Sequence, residues 1–294
     1  METILVYGAS GVQGGAVARL LTSKGITVRT LTRQEKNVAT LKEQGIEAFV
    51  GDLSVLETLH EANSNVDKIF LNMPIEYDTE LMKQQITNAV QAAQQANVQL
   101  IVVNSNGFLP EQPTATATLE VKREMIQYVQ QSGIPTILVK PTLYMENFLI
   151  PGLINQGMLF YPVPVDKPIP WISSEDAAQY HYYALSHPEL AGHTLLAPGP
   201  EALTGEELGH KFAQALGKDI TFQSLNYDDF QASLIPVMGA QQATGIANFY
   251  RWIGENVDSL NYYNVEDRVI VPDLQLTSLK DWLQQPHIQS ILQA

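Results

Sequence analysis

The chain contains no cysteine. That excludes disulfide staples, thiolate nucleophiles and cysteine-based zinc sites, and it fits a reducing compartment. Positive charge is scarce too: 17 Lys and Arg stand against 31 Asp and Glu, giving a formal net charge of −14 and a pI near 4.8. Such a chain repels a phosphate backbone, and no basic patch offsets the repulsion, so no nucleic-acid partner is expected. No apolar run is long enough to span a bilayer, so no membrane partner is expected either. None of the six histidines forms an i,i+4 pair or sits beside carboxylates at ligand spacing, so no metal site is expected. What remains is 294 residues at 45% hydrophobic content, without repeats or low-complexity tracts. That is enough core for one large domain or a domain with an appended lobe.

The first strong positive signal is Gly8, Gly11 and Gly14 in the run GASGVQG. It follows an apolar strand, Thr3 to Tyr7, and precedes a helical pattern from Ala16 to Leu21. In that setting it reads as a dinucleotide-binding turn. Gly8 allows the tight strand-to-helix turn, Gly11 admits a pyrophosphate close to the backbone, and Gly14 lets the helix pack on the sheet. Ser10, Val12 and Gln13 complete the loop, and the helix start offers free N–H groups to phosphates. With the turn beginning at residue 8, no room is left for a leader peptide, and the expected compartment is the cytoplasm. The second strand, Ile26 to Thr32, ends in Thr32-Arg33-Gln34 rather than in an acid. A carboxylate there would repel a 2′-phosphate, whereas Arg33 can pair with one, so NADP(H) is expected over NAD(H).

Beyond it, helices over Val38–Gln44, Thr79–Ala96 and Leu119–Gln131 alternate with strands at Glu47–Val50, Lys68–Leu71, Gln99–Val103 and Pro135–Val139. Strands separated by helices of this length define an α/β fold, a doubly wound parallel sheet with right-handed crossovers. Ligands on such sheets lie at the carboxyl ends of the strands. The nominated turns are Gly51-Asp52-Leu53, Asn72-Met73-Pro74, Asn104-Ser105-Asn106 and Lys140-Pro141-Thr142. Past Asn147 the prolines at 151, 162, 164, 168, 170, 198 and 200 break the alternation into short strands and loops. The expected division is a cofactor domain over 1–148 and a smaller α+β substrate lobe over 149–294, which can return a strand to the main sheet. Ser173 to Asp176 and Thr204 to Glu207 read as capping boxes, which gives Asp176 a structural role. Phe148, Phe160, Tyr161 and Trp171 read first as core of the small lobe and second as a platform for a flat substrate.

Taken together, these segments resemble the NmrA-like branch of atypical short-chain dehydrogenases. The resemblance is carried by the glycine turn, Arg33, Gly51-Asp52-Leu53, Lys122, Gly133 to Leu138, Pro141 and Tyr144-Met145-Glu146-Asn147-Phe148. It extends through Asp176-Ala177-Ala178, Leu196 to Thr204 and a tail with Leu279, Trp282 and Leu283. It implies an extended Rossmann fold with NADP(H) as ligand, Gln13 in the phosphate loop and Lys122 near the nicotinamide ribose. It also implies two functional classes: reductases of quinones, dyes or phenylpropanoids, and redox sensors that bind NADP(H) and regulate a protein partner. Short-chain dehydrogenases of the Tyr-x-x-x-Lys type place a phenol one turn before the lysine, but here that position is Thr118, and Tyr128 lies on another face of the helix. Alcohol oxidation and sugar-nucleotide epimerisation lose support; reduction of a small electrophilic acceptor such as a quinone does not, because the nicotinamide carries the chemistry. Lys122 is the first choice for a proton donor and Tyr144 the second. Ile126 stands where the family commonly has Glu, which leaves the orientation of Lys122 open. A homodimer through the helix at 79–96 is a further expectation.

Overall fold

The computed structural model describes residues 2–72, 78–258, 271, 272 and 274–293. Seven strands form one all-parallel sheet: β1 (Thr3–Val6), β2 (Thr27–Thr32), β3 (Ile46–Val50), β4 (Lys68–Leu71), β5 (Leu100–Asn104), β6 (Thr136–Pro141) and β11 (Thr194–Ala197). Their order is β11-β6-β5-β4-β1-β2-β3, a doubly wound topology with the strand order reversing at β1. Register is clear from pairs such as Ile4 with Val28 and Lys68, and Val102 with Ile137. The central strands are apolar on both faces because helices cover both: Ile4 and Val6 join the core under α1 (Val12–Ser23) and α6 (Ser174–Ser186). Leu5 joins the opposite core under α3 (Leu59–Asn63), α4 (Thr79–Gln95) and α5 (Ala117–Gln130). Each such apolar side chain contributes about 1.5–3 kcal/mol on burial. The short α2 (Lys36–Glu43) packs beside β3.

Helix bounds follow local chemistry. On α1, Val17 and Leu21 recur on one buried face, and the chain turns out at Gly25 with φ +75. Asp78 caps α4 by accepting from the N–H groups of Glu80 and Leu81. The Thr204–Glu207 pair forms the expected reciprocal box at the head of α7 (Gly205–Leu216). At α6 the expected box is only half made: Ser173 accepts from the Asp176 N–H, but the Asp176 carboxylate accepts from the N–H and hydroxyl of Thr277 at 2.7 and 3.2 Å. Asp176 thereby ties the C-terminal segment to the main body. The segment Leu59–Asn63, to which the sequence reading assigned no element, is helical because Leu59 and Ala62 are drawn into the core.

The smaller lobe carries β7 (Leu143–Tyr144), β10 (Ile169–Ile172) and β12 (Glu201–Leu203) in one sheet and β8 (Ile154–Asn155), β9 (Met158–Tyr161) and β13 (Thr221–Ser224) in another. Against them pack α7, α8 (Tyr227–Met238), α9 (Ala240–Glu255), α10 (Leu279–Leu283) and α11 (Pro286–Leu292). Phe148, Tyr161 and Trp171 are buried at the centre of this lobe with ring centroids 4.3 to 5.5 Å apart. They are core, and the platform alternative for these three does not hold; Phe160 is half-buried. Among the described residues no helix is long and apolar enough to cross a membrane, and no group of three His, Asp or Glu side chains is placed to hold a metal ion.

Candidate cofactor and active site

Gly8 adopts φ +83, a conformation L side chains rarely take, and a Cβ there would press on Asn72 at 3.2 Å. A Cβ on Gly14 would overlap the Gly8 carbonyl oxygen, so α1 can lie against the turn only with glycine at that place. Gly11 donates its N–H to the Gly8 carbonyl at 2.9 Å and stands at the N-cap of α1 with no side chain capping the helix. Ser10, Gly11 and Val12 are exposed beside it. The cradle fits a pyrophosphate: backbone comes close, the first-turn amides are uncapped, and the positive end of the helix faces outward.

Arg33, just past β2, is exposed and makes no hydrogen bond or ion pair among the described residues. Asp52 and Leu53 follow β3. Burial raises the Asp52 pKa, but the Ser54 hydroxyl and N–H, donated to its Oδ1 at 2.7 and 2.8 Å, together with the Arg33 guanidinium, outweigh that and hold it below the usual range. Asp52 thus shapes its own turn, and the Leu53 carbonyl accepts from the Asn88 side chain at 2.8 Å.

The strand ends bring four polar side chains together. The buried Asn104 side-chain amide donates to Gln13 Oε1 at 2.7 Å and Asn72 Oδ1 at 3.0 Å, and lies 3.4 Å from the Tyr144 hydroxyl. Its own carbonyl accepts from the Asn106 N–H at 3.0 Å. Burial pushes the Tyr144 phenol up despite the Asn104 contact, and the nearby Glu146 adds to the rise, so Tyr144 is a neutral wall and a poor acid. The Ser105 hydroxyl is engaged with the Gly107 carbonyl at 2.6 Å, and Pro141 is buried at the end of β6 opposite Ala197. Met73 and Pro74 lie outside the described residues.

Lys122 completes this edge. Asn106 and Gly107 take successive positive φ values, 54 and 104, which turn the Asn106 carbonyl to meet Lys122 Nζ at 3.4 Å. The ammonium also lies 5.5 Å from the Phe249 ring centroid, and no carboxylate among the described residues pairs with it. Desolvation brings its pKa down to about 8. The orientation left open by Ile126 is therefore set by a carbonyl, while Ile126 is buried in the helix-face core and Glu120 binds Thr114 and Arg123. Thr118 has a buried hydroxyl without a hydrogen-bond partner among the described residues, and Tyr128 is 43% exposed. Two participants were not foreseen. Asn104 was legible only as part of a strand-end turn, and Phe249 reaches the site from a distant helix with no local signal at all.

The turn, the sheet edge behind it and the uncapped helix define an NAD(P)-binding fold of the Rossmann class. The chain belongs to the NmrA-like family, which it matches over residues 1–283. It is similar to the NAD(P)H azoreductase of Xenophilus azovorans, with 27% identity over 79% of this chain and 80% of that one. The same fold is found in the Citrobacter sp. triphenylmethane reductase complexed with NADP(H), at TM-score 0.77 and 22% identity over 96% and 99% of the two chains. It is also found in the NADPH-dependent quinone oxidoreductase QOR2 of Escherichia coli complexed with NADPH, at TM-score 0.75 and 22% identity over 95% and 98%.

Proposed function

We propose that this chain is an NADPH-dependent reductase that delivers hydride to a small electrophilic acceptor such as a quinone. The observation that carries the reading is Lys122, a cation with no carboxylate partner among the described residues, held on the same sheet edge as the glycine cradle. Such a group is arranged to meet oxygen atoms that a ligand brings. The α1 amides and Ser10 would hold the pyrophosphate, and Arg33 the 2′-phosphate. Gln13, fixed by Asn104, and Tyr144 would bound the nicotinamide end. When bound, the nicotinamide supplies the hydride. Lys122 then holds the ribose hydroxyls and, protonated below pH about 8, hands a proton to the reduced acceptor. Because a quinone asks only for that proton, Thr118 in place of a phenol is no obstacle.

Thr118 is also what a sensor would tolerate, since a protein that only reads the NADP(H) ratio for a partner needs no acid. Fluorescence titration with NADPH and NADH, followed by menadione while the absorbance of the reduced nicotinamide is recorded, separates the two readings. Tight NADPH binding with loss of absorbance supports the reductase. Tight binding without loss over a long incubation overturns it in favour of the sensor.

A further inference from the structure

Phe148, Tyr161 and Trp171 are core, and the aromatic that the fold does bring to the site is Phe249. It belongs to α9 in the smaller lobe, yet its ring centroid is 5.5 Å from Lys122 Nζ on α5, and a Cβ on Gly107 would come within 4.0 Å of its Cζ. The ring packs against both the lobe core and the helix-face core of the main sheet and remains partly exposed. Its own helix braces it: Tyr250 meets it edge-on at 5.4 Å, and Trp252 is anchored by stacking on Phe108 at 5.4 Å. It is therefore a positioned aromatic surface beside the Lys122 amine, at the edge proposed for the nicotinamide.

We propose that Phe249 is the platform for a flat acceptor and that the Lys122 ammonium beside it selects neutral or anionic acceptors, such as quinones, over cationic dyes. The inference rests on the reductase reading and adds the acceptor class. Flat rings gain from offset or edge contact with a phenylalanine face. In quinone reduction a C–H bond of dihydronicotinamide breaks, its electron pair and hydrogen pass to the quinone, and negative charge builds on oxygen. The ammonium stabilises that charge and supplies the proton, giving hydroquinone and NADP+. A triarylmethyl cation instead takes hydride at its central carbon and needs no proton. It must enter with its positive charge near another one, which in a partly desolvated site costs about ten- to a hundredfold in rate. The buried acid nearest in sequence to Tyr144, Glu146, does not offset this: its Oε1 accepts from the Ser174 N–H and hydroxyl at 2.9 and 2.8 Å, and burial favours its neutral form.

The test compares kcat/KM for menadione and for crystal violet at saturating NADPH in the wild type and in Lys122→Met, Lys122→Arg, Phe249→Leu and Phe249→Tyr. Both acceptors draw on the same cofactor complex, so a cofactor defect in a variant cancels in the ratio. The expected results are a menadione preference in the wild type, a ratio lowered about tenfold in Lys122→Met and retained in Lys122→Arg. KM for menadione should rise about fivefold in Phe249→Leu and stay near wild type in Phe249→Tyr. Binding of crystal violet to the NADP+ complex, read from the dye's visible spectrum, makes the same comparison without turnover, and Lys122→Met should bind it about tenfold more tightly. An unchanged ratio with equal dye affinity overturns the charge assignment, and an unchanged KM in Phe249→Leu overturns the platform. A wild type that oxidises NADPH with neither acceptor overturns the reductase reading itself, and this inference with it.

Discussion

His181 provides a sharp test of how α6 packs on the main sheet. It sits on α6 with 1% of its surface exposed, its ring edge-on to Phe70 of β4 at 4.7 Å, and neither ring nitrogen has a hydrogen-bond partner among the described residues. Desolvation pulls its pKa from 6.5 down to about 3, so it is neutral when folded and protonatable when unfolded. The unfolded chain therefore binds the extra proton between those two values. Stability from this group is complete above pH 6.5 and is lost as pH falls toward about 3. At one pH unit below the unfolded value, the unfolded state gains RT ln 11, about 1.4 kcal/mol, a large share of a typical 5–15 kcal/mol. The perturbation is His181→Leu, which fills similar space without polar atoms, and the assay is urea unfolding at pH 5.5 and 8, above the pI near 4.8 where solubility fails. The wild type should lose about 1.4 kcal/mol more than the variant between the two conditions, and the variant should be the more stable at pH 5.5. Equal losses in the two proteins, within about 0.5 kcal/mol, would refute the claim that the folded core holds His181 neutral and unpartnered.

Other perturbations address the cofactor edge. Gly14→Ala puts a methyl into the Gly8 carbonyl and should cost about 1–3 kcal/mol of stability together with most NADPH affinity, read by unfolding and by fluorescence titration. Arg33→Ala should weaken NADPH about 10- to 100-fold and leave NADH affinity unchanged, as expected for loss of a charged hydrogen bond to the 2′-phosphate. Asn104→Leu strands Gln13 and Tyr144, and should cost about 1–3 kcal/mol of stability while raising KM for NADPH. The rate with menadione should fall as pH rises through about 8, where Lys122 loses its proton, and that fall should be absent in Lys122→Met.

The main sheet and its glycine turn were legible because their signals are local. The glycine spacing and the strand and helix periods all lie within short windows, and the seven-strand sheet arranges them as a doubly wound fold arranges such parts. The contact between Phe249 and Lys122 was not legible, because it is assembled by tertiary packing. Phe249 meets Lys122 only after α9 docks on α5, and nothing around either residue announces the other. Phe148, Tyr161 and Trp171, read from the sequence first as core, are what a small lobe needs to build a core of its own. Asn104 was visible as a turn residue, but its role as a hub depends on four strand and helix ends converging, which no single segment encodes.

The central claim is hydride transfer from NADPH at this edge, and single turnover tests it most directly. The preformed NADPH complex is mixed with menadione, and the loss of reduced nicotinamide is followed with the cofactor protonated or deuterated at the transferred C4 position. The account predicts a single exponential whose rate saturates with menadione and slows severalfold on deuteration. A complex that keeps its NADPH unchanged in the presence of the acceptor would contradict it.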